Sequence, residues 1–194
     1  MRAATGCFMS VGYERTSMDA IASAAGVSKQ TVYSHFANKD ELFRECILRK
    51  VRLYGLDMKS FRADEPLEQV LTTTGRRFLD LLCDPDVVSM YRLLIGETTA
   101  FPKLATSFWE TGPQATMDAI AAFLVASAET QGHCIEHAQQ AASDFLCLVE
   151  GHYMKRLLMR HLDDIEDAEK QQHVARCVDQ FLRLHVRNPT TDPS

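Results

Sequence analysis

Long hydrophobic runs are missing from this 194-residue sequence. The longest uninterrupted apolar stretch, Ala119 to Ala126, is eight residues, whereas a membrane-spanning helix requires roughly 20. No membrane partner is expected. Met1 to Ser10 carries one Arg and then Gly6, without the sustained apolar core of a secretory signal, so the cytoplasm is the expected compartment. Six cysteines (Cys7, Cys46, Cys83, Cys134, Cys147, Cys177) include no C-x-x-C pair. Their scatter suits reduced thiols packed as small apolar groups better than a disulfide framework. Sustained apolar–polar alternation is absent too, which removes half-buried strands. There is no nucleophile elbow, no phosphate-cradling glycine loop and no H-E-x-x-H; no enzyme and no cofactor are expected. The run His133-Cys134-Ile135-Glu136-His137 holds a histidine pair at i, i+4. It lies beside Gln131-Gly132 and reads as a turn and helix start, because a closed metal site needs three or four preorganised ligands. No metal site is assigned.

What is present is helical periodicity, in a chain that is 46% hydrophobic and so able to fill a core. The expected fold class is all-α. Punctuation at Gly12, Gly26, Asn38-Lys39, Asp64-Glu65-Pro66, Asp84-Pro85, Gly112-Pro113, Gln131-Gly132 and Asp163-Asp164 divides the chain into segments. The interval from Ala37 to Lys59 reads as one long connecting helix. The expected organisation is a head at 1–45, a body at 46–188 and a disordered tail at 189–194. Net charge is −5, which taken alone argues against a nucleic-acid partner. The charge is uneven, however. Residues 1–52 hold eight Lys/Arg against five Asp/Glu, a net +3, and the remainder is a net −8. Screening within about 8–10 Å lets a basic head attract phosphate despite an acidic body.

The head carries the informative motif. Ser17 through Phe36 has the layout of two short helices and a tight turn. Ala22 allows the helices to cross closely, and Gly26 can take the left-handed conformation that ends the first helix. Ile21, Val27, Val32 and Phe36 are the expected shared core. Ser28 is the expected N-cap of the second helix, and Thr16 and Ser17 are candidates to cap the first, with Asp19 near its positive end. Lys29, Gln30, Thr31, Tyr33, Ser34 and His35 remain for the outer face of the second helix. Gln can bond adenine bidentately, Thr and Tyr can touch thymine methyls, and Lys can reach guanine or phosphate. Thr16, Ser17, Ser28 and Lys39 suit phosphate oxygens. The expected partner is a double-stranded DNA operator.

These residues resemble the DNA-binding domain of the TetR (tetracycline-repressor-like) family. The pattern runs through Gly12-Tyr13-Glu14-Arg15-Thr16-Ser17-Met18-Asp19-Ala20-Ile21-Ala22, then Ala25-Gly26-Val27-Ser28 to Tyr33-Ser34-His35-Phe36, then Asn38-Lys39-Asp40-Glu41-Leu42-Phe43. The resemblance implies a three-helix helix-turn-helix head joined by a long helix to a helical effector-binding and dimerisation domain. It implies phosphate-positioning roles for Thr16, Ser28, Tyr33, His35 and Lys39, and places Lys29, Gln30 and Thr31 at base edges. In that family the first helix is usually longer and follows a basic arm, whereas here only Met1 to Val11 precedes Gly12. Either the true start lies upstream, or the arm contacts are lacking and the second helix of the motif carries more of the grip.

Beyond residue 60, the stretch from Tyr91 to Pro113 resembles a recurrent C-terminal domain type among these regulators. This implies a pocket for a small, often apolar effector. Candidate pocket residues are Phe78, Leu82, Tyr91, Leu94, Phe108, Trp109, Met117, Cys147, Glu150 and Met154, where a few polar groups among apolar ones would orient a ligand. Ala138 to Leu162 is apolar around most of its circumference. The next segment carries a stripe at Val174, Cys177, Val178, Phe181, Leu182 and His185. Two copies of this pair would form a two-fold four-helix interface, so a homodimer is expected. The expected function is a repressor released from a palindromic operator by a small effector. The alternative is a helix-bundle binding protein without DNA function.

Overall fold

The structure, a computed structural model, describes residues 1–187; the expected tail at 189–194 lies outside them. Within the described residues the chain forms α1 (Arg2–Val11), α2 (Met18–Ala25), α3 (Lys29–His35), α4 (Lys39–Leu53), α5 (Leu67–Cys83), α6 (Pro85–Glu97) and α7 (Pro102–Trp109). A π-helical turn (Glu110–Gln114) follows, then α8 (Ala115–Gln131), α9 (Ala138–Glu150), α10 (Tyr153–Leu158) and α11 (Asp167–His185). The all-α expectation holds. The β features among these residues amount to an isolated bridge between Cys134 and Arg187.

Two compact units divide the chain, and the first is discontinuous: it comprises Met1–Lys50 and Asp84–Pro113. The expected head thus sits inside a larger body that also takes in α6 and α7. The reason is apolar surface. Phe8, Tyr13 and Phe43 form an aromatic trio, with Phe8 and Phe43 edge to face at 5.3 Å and Tyr13 and Phe43 at 5.5 Å. Met90, Leu94 and Leu104 belong to the same buried cluster. Each large side chain so covered contributes roughly 1.5–3 kcal/mol, more than α1 to α3 could gather alone. Asp84 caps α6, its carboxylate accepting from the N–H of Asp86 at 2.9 Å, with Pro85 in the first turn. The Lys50 ammonium donates to Asp84 at 2.7 Å and to Asp86 at 2.9 Å.

Two sequence expectations about helix length are corrected. The connecting helix does not run to Lys59. It ends at Leu53, where Gly55 adopts φ +63° and the Leu56 N–H returns to the Val51 carbonyl. At Gly112-Pro113 the chain does not break as expected but widens into the π-helical turn. Pro113 lacks the N–H that an α-helix would require there.

The second unit comprises Val51–Cys83 and the residues from Gln114 onward. Its centre is α9, which packs on α8, α5 and α11. Gly75 in α5 marks the closest approach: a Cβ there would lie 2.9 Å from Val174 Cγ1. Phe145 and Phe181 meet edge to face at 5.5 Å. Ala138 to Leu162 is not a single helix, because Gly151 (φ +52°) separates α9 from α10. The Lys170 ammonium is buried and donates to Asp80 at 2.9 Å, with Asp164 at 3.5 Å. Burial opposes that charge, yet Asp80, with smaller contributions from Cys83 and Asp164, outweighs it and holds the Lys170 pKa above the ordinary lysine value. The cysteines are free. Cys46 and Cys177 are buried as expected, whereas Cys134 and Cys147 are exposed.

Candidate nucleic-acid interface

The helix-turn-helix is built from its caps. The Ser17 side chain caps α2, accepting from the Ala20 N–H at 3.1 Å. Gly26 takes φ +66°, and the N–H groups of Gly26 and Val27 close on the carbonyls of Ser23 and Ala22. Nothing lies within 4 Å of where a Gly26 Cβ would be, so backbone conformation, not space, requires glycine there. Ser28 caps α3 by accepting from the Thr31 N–H at 3.1 Å, and the two hydroxyls are 2.8 Å apart. The start of α4 is closed reciprocally. Asn38 Oδ1 accepts from the Glu41 N–H at 2.8 Å, and Glu41 accepts from the Ala37 N–H at 2.6 Å.

On α3 only Val32 is buried. Lys29, Gln30, Thr31, Tyr33, Ser34 and His35 are all exposed, Tyr33 to 52%. The Ser34 hydroxyl donates to the Thr31 carbonyl at 2.8 Å. The Lys29 ammonium pairs with the Asp19 carboxylate of α2. Both partners are exposed, and such a pair is worth about 0–1 kcal/mol, so a phosphate or a guanine acceptor can displace Asp19 at little cost. Ile21, Ala22 and Val32 are buried and Phe36 half-buried, whereas Val27 is 43% exposed. It follows the left-handed Gly26, which turns the chain outward before α3.

Two further expected roles change. Thr16 is only 2% exposed, and its hydroxyl donates to the Gly12 carbonyl at 2.6 Å. Its side chain locks the α1–α2 turn and neither caps α2 nor faces phosphate. Lys39 is half-buried, with its ammonium donating to the carbonyls of Tyr13 at 2.7 Å and Glu14 at 3.2 Å and lying 4.3 Å from the Tyr13 ring centroid. It clamps that same turn to α4.

Tyr13 and Asp40 were not singled out from sequence, yet they complete the clamp. The Tyr13 hydroxyl donates to the Asp40 carboxylate. Burial first, then that hydrogen bond and charge, push the phenol pKa well above the usual tyrosine range, so it stays a donor. The Tyr13 N–H donates to Glu97 Oε1 at 3.3 Å. The available signal was the aromatic residue after Gly12, where φ +87° excludes a side chain at the preceding position.

The ten candidate effector contacts divide between the units. In the first, Tyr91 and Phe108 meet edge to face at 4.9 Å, Leu94 is buried and Trp109 is 54% exposed. Nearby in sequence, the buried Thr111 hydroxyl has no hydrogen-bond partner in the protein, a position that periodicity alone does not flag. In the second, Leu82 and Met154 are buried, Phe78, Met117 and Glu150 are half-buried, and Cys147 is exposed. Burial pushes the Glu150 carboxyl pKa above the usual glutamate value, with Lys155 opposing. Among the described residues no group of three or more His, Cys, Asp or Glu is disposed to hold a metal ion. No helix among them is long and apolar enough to cross a membrane.

Residues 1–46 match the family described as bacterial regulatory proteins, tetR family, and residues 69–185 match that described as AefR-like transcriptional repressor, C-terminal domain. This chain belongs to the TetR family. As a TetR-family member it is a DNA-binding transcriptional regulator. It is similar to the flavonoid-responsive regulator FrrA, with 32% identity, TM-score 0.76, and coverage of 98% of this chain and 95% of that one. A TetR-family transcriptional regulator from Mesorhizobium loti MAFF303099 gives 28% identity and TM-score 0.77, covering 95% of this chain and 93% of that one. The HTH-type transcriptional regulator YhgD of Bacillus subtilis (strain 168) is 41% identical over 71 residues, which is 37% of this chain and 35% of that relative's length.

Proposed function

We propose that this TetR-family chain is a cytoplasmic homodimeric repressor that reads a palindromic operator through α3 and is released by a small effector. The carrying observation is the exposed polar row Lys29, Gln30, Thr31, Tyr33, Ser34 and His35 on a helix anchored by Val32 alone. Base readout is assigned to Lys29, Gln30 and Thr31; phosphate contacts are assigned to Ser17, Ser28, Tyr33 and His35. The stripe Val174, Cys177, Val178 and Phe181 is buried within the subunit. A second copy would therefore meet the outer side of the α9–α11 pair, where Cys147 and Leu184 are exposed. Paired heads about one helical turn apart match a palindrome.

The effector proposed is a planar aromatic molecule. FrrA is named as flavonoid-responsive, and the Tyr91–Phe108 pair offers an edge-to-face aromatic surface with the unpartnered Thr111 hydroxyl three residues beyond Phe108. Fluorescence anisotropy on labelled duplex from upstream of the gene tests the reading. A specific complex should form, weaken steeply with salt through counterion release, elute as a dimer, and dissociate when a flavonoid panel is added. Absence of any sequence-specific complex at moderate salt would instead favour a binding protein without DNA function.

A further inference from the structure

Away from the residues assigned to the effector, the first unit holds a cleft of about 600 Å³. That volume lies within the range of small-molecule sites. One wall is α4 with Tyr13; the other is the segment entering and forming α7. Of its apolar lining, Ala100 and Pro102 are exposed and Phe101 half-buried, whereas Phe43 and Leu104 are buried behind them; Phe101 is edge-on to Tyr13 at 6.1 Å.

Charge distinguishes this cleft from ordinary packing space. Arg44 and Lys103 line it from opposite walls, both exposed, and neither forms an ion pair among the described residues. Asp40 and Glu110 also line it. Asp40 is engaged by the Tyr13 hydroxyl, and Glu110 is exposed at the start of the π-helical turn. The two cations therefore flank an apolar patch whose accessible aromatic ring is Phe101. We propose that this cleft binds an amphipathic aromatic monoanion, its rings against Phe101 and the neighbouring Ala100 and Pro102 and its acid group between Arg44 and Lys103. The guanidinium favours a bidentate carboxylate or sulfonate. The site lies beside the turn held by Lys39 and Asp40, so it is distinct from the effector residues proposed above and does not depend on them.

Two dyes of one scaffold test it on the full chain. 1-Anilinonaphthalene-8-sulfonate carries the anion, and N-phenyl-1-naphthylamine is its uncharged counterpart. The sulfonate should bind the full chain more tightly than the neutral dye. The double variant Arg44→Gln with Lys103→Gln should lose about tenfold in sulfonate affinity, the scale expected for hydrogen bonds to charged groups. Neutral-dye affinity should stay within about twofold, and Arg44→Lys, which keeps the charge but not the bidentate fork, should retain only part of the sulfonate affinity. Both altered residues are exposed, and an unchanged thermal midpoint checks that the fold persists. Sulfonate affinity unchanged in the double variant, or an equal loss for both dyes, would overturn the proposal.

Discussion

Replacing Lys39 with alanine separates two roles for one cation. In the structure its ammonium donates to the Tyr13 carbonyl at 2.7 Å and the Glu14 carbonyl at 3.2 Å, and sits over the Tyr13 ring. A hydrogen bond to a charged donor is worth about 1.5–3 kcal/mol, the more exposed second bond adds little, and a partly desolvated cation–π contact adds about 1 kcal/mol. A clamp should therefore cost about 2.5–4 kcal/mol in urea unfolding when removed. Operator affinity would fall for every sequence alike, because the turn that positions α2 loosens. A phosphate contact would behave differently. Each one lost lowers the slope of log K against log salt by about 0.9, so a dimer carrying two copies would lose about two. The expected result is reduced stability with an unchanged salt slope. An unchanged urea midpoint together with a slope smaller by about two would refute the clamp.

Gln30→Ala should relax preference at particular base pairs by about 1–3 kcal/mol; equal losses on operator and random duplex in competition gel-shifts would remove its reading role. Gly75→Ala gains up to about 1 kcal/mol of helix propensity. It also puts a Cβ 2.9 Å from Val174, and overpacking of about 1–3 kcal/mol should win. Gly6→Ala, with no atom within 4 Å, should instead stabilise, so calorimetry should return opposite signs for the two. Glu150 has its carboxyl pKa raised by burial, meaning the folded chain binds that proton more tightly than the unfolded chain. Its contribution to stability should fall as pH rises from the ordinary glutamate range through the raised value. Glu150→Gln should flatten unfolding free energy against pH over that window, and an unaltered profile would contradict the shift.

Local backbone chemistry made the reading motif legible. Ser17, Gly26 and Ser28 have roles set within four residues of each, so spacing alone placed both caps and the turn between them. Lys39 was placed outward for the opposite reason: whether its ammonium reaches solvent depends on the path of a distant segment, here the Tyr13–Glu14 turn. Thr16 and Val27 turn on local geometry that spacing leaves open, the Gly12 carbonyl four residues back and the left-handed Gly26 immediately before. Gly151 was overlooked because a single glycine within an apolar run is compatible with an uninterrupted helix until its φ is known. The aromatic pair Tyr91–Phe108 was foreseen only as a list of apolar residues. Edge-to-face geometry belongs to packing, and periodicity carries no trace of it.

The discontinuity of the first unit bears on how the polypeptide matures. A ribosome extending at about 5–20 residues per second delivers α1 to α3 well before Met90, Leu94 and Leu104, the partners that close the cluster around Phe8 and Phe43. The nascent DNA-reading helices must therefore wait, with greasy side chains uncovered, while the whole of Val51–Cys83 is synthesised. A product halted before Met90 would lack every partner that α6 and α7 bring to this cluster.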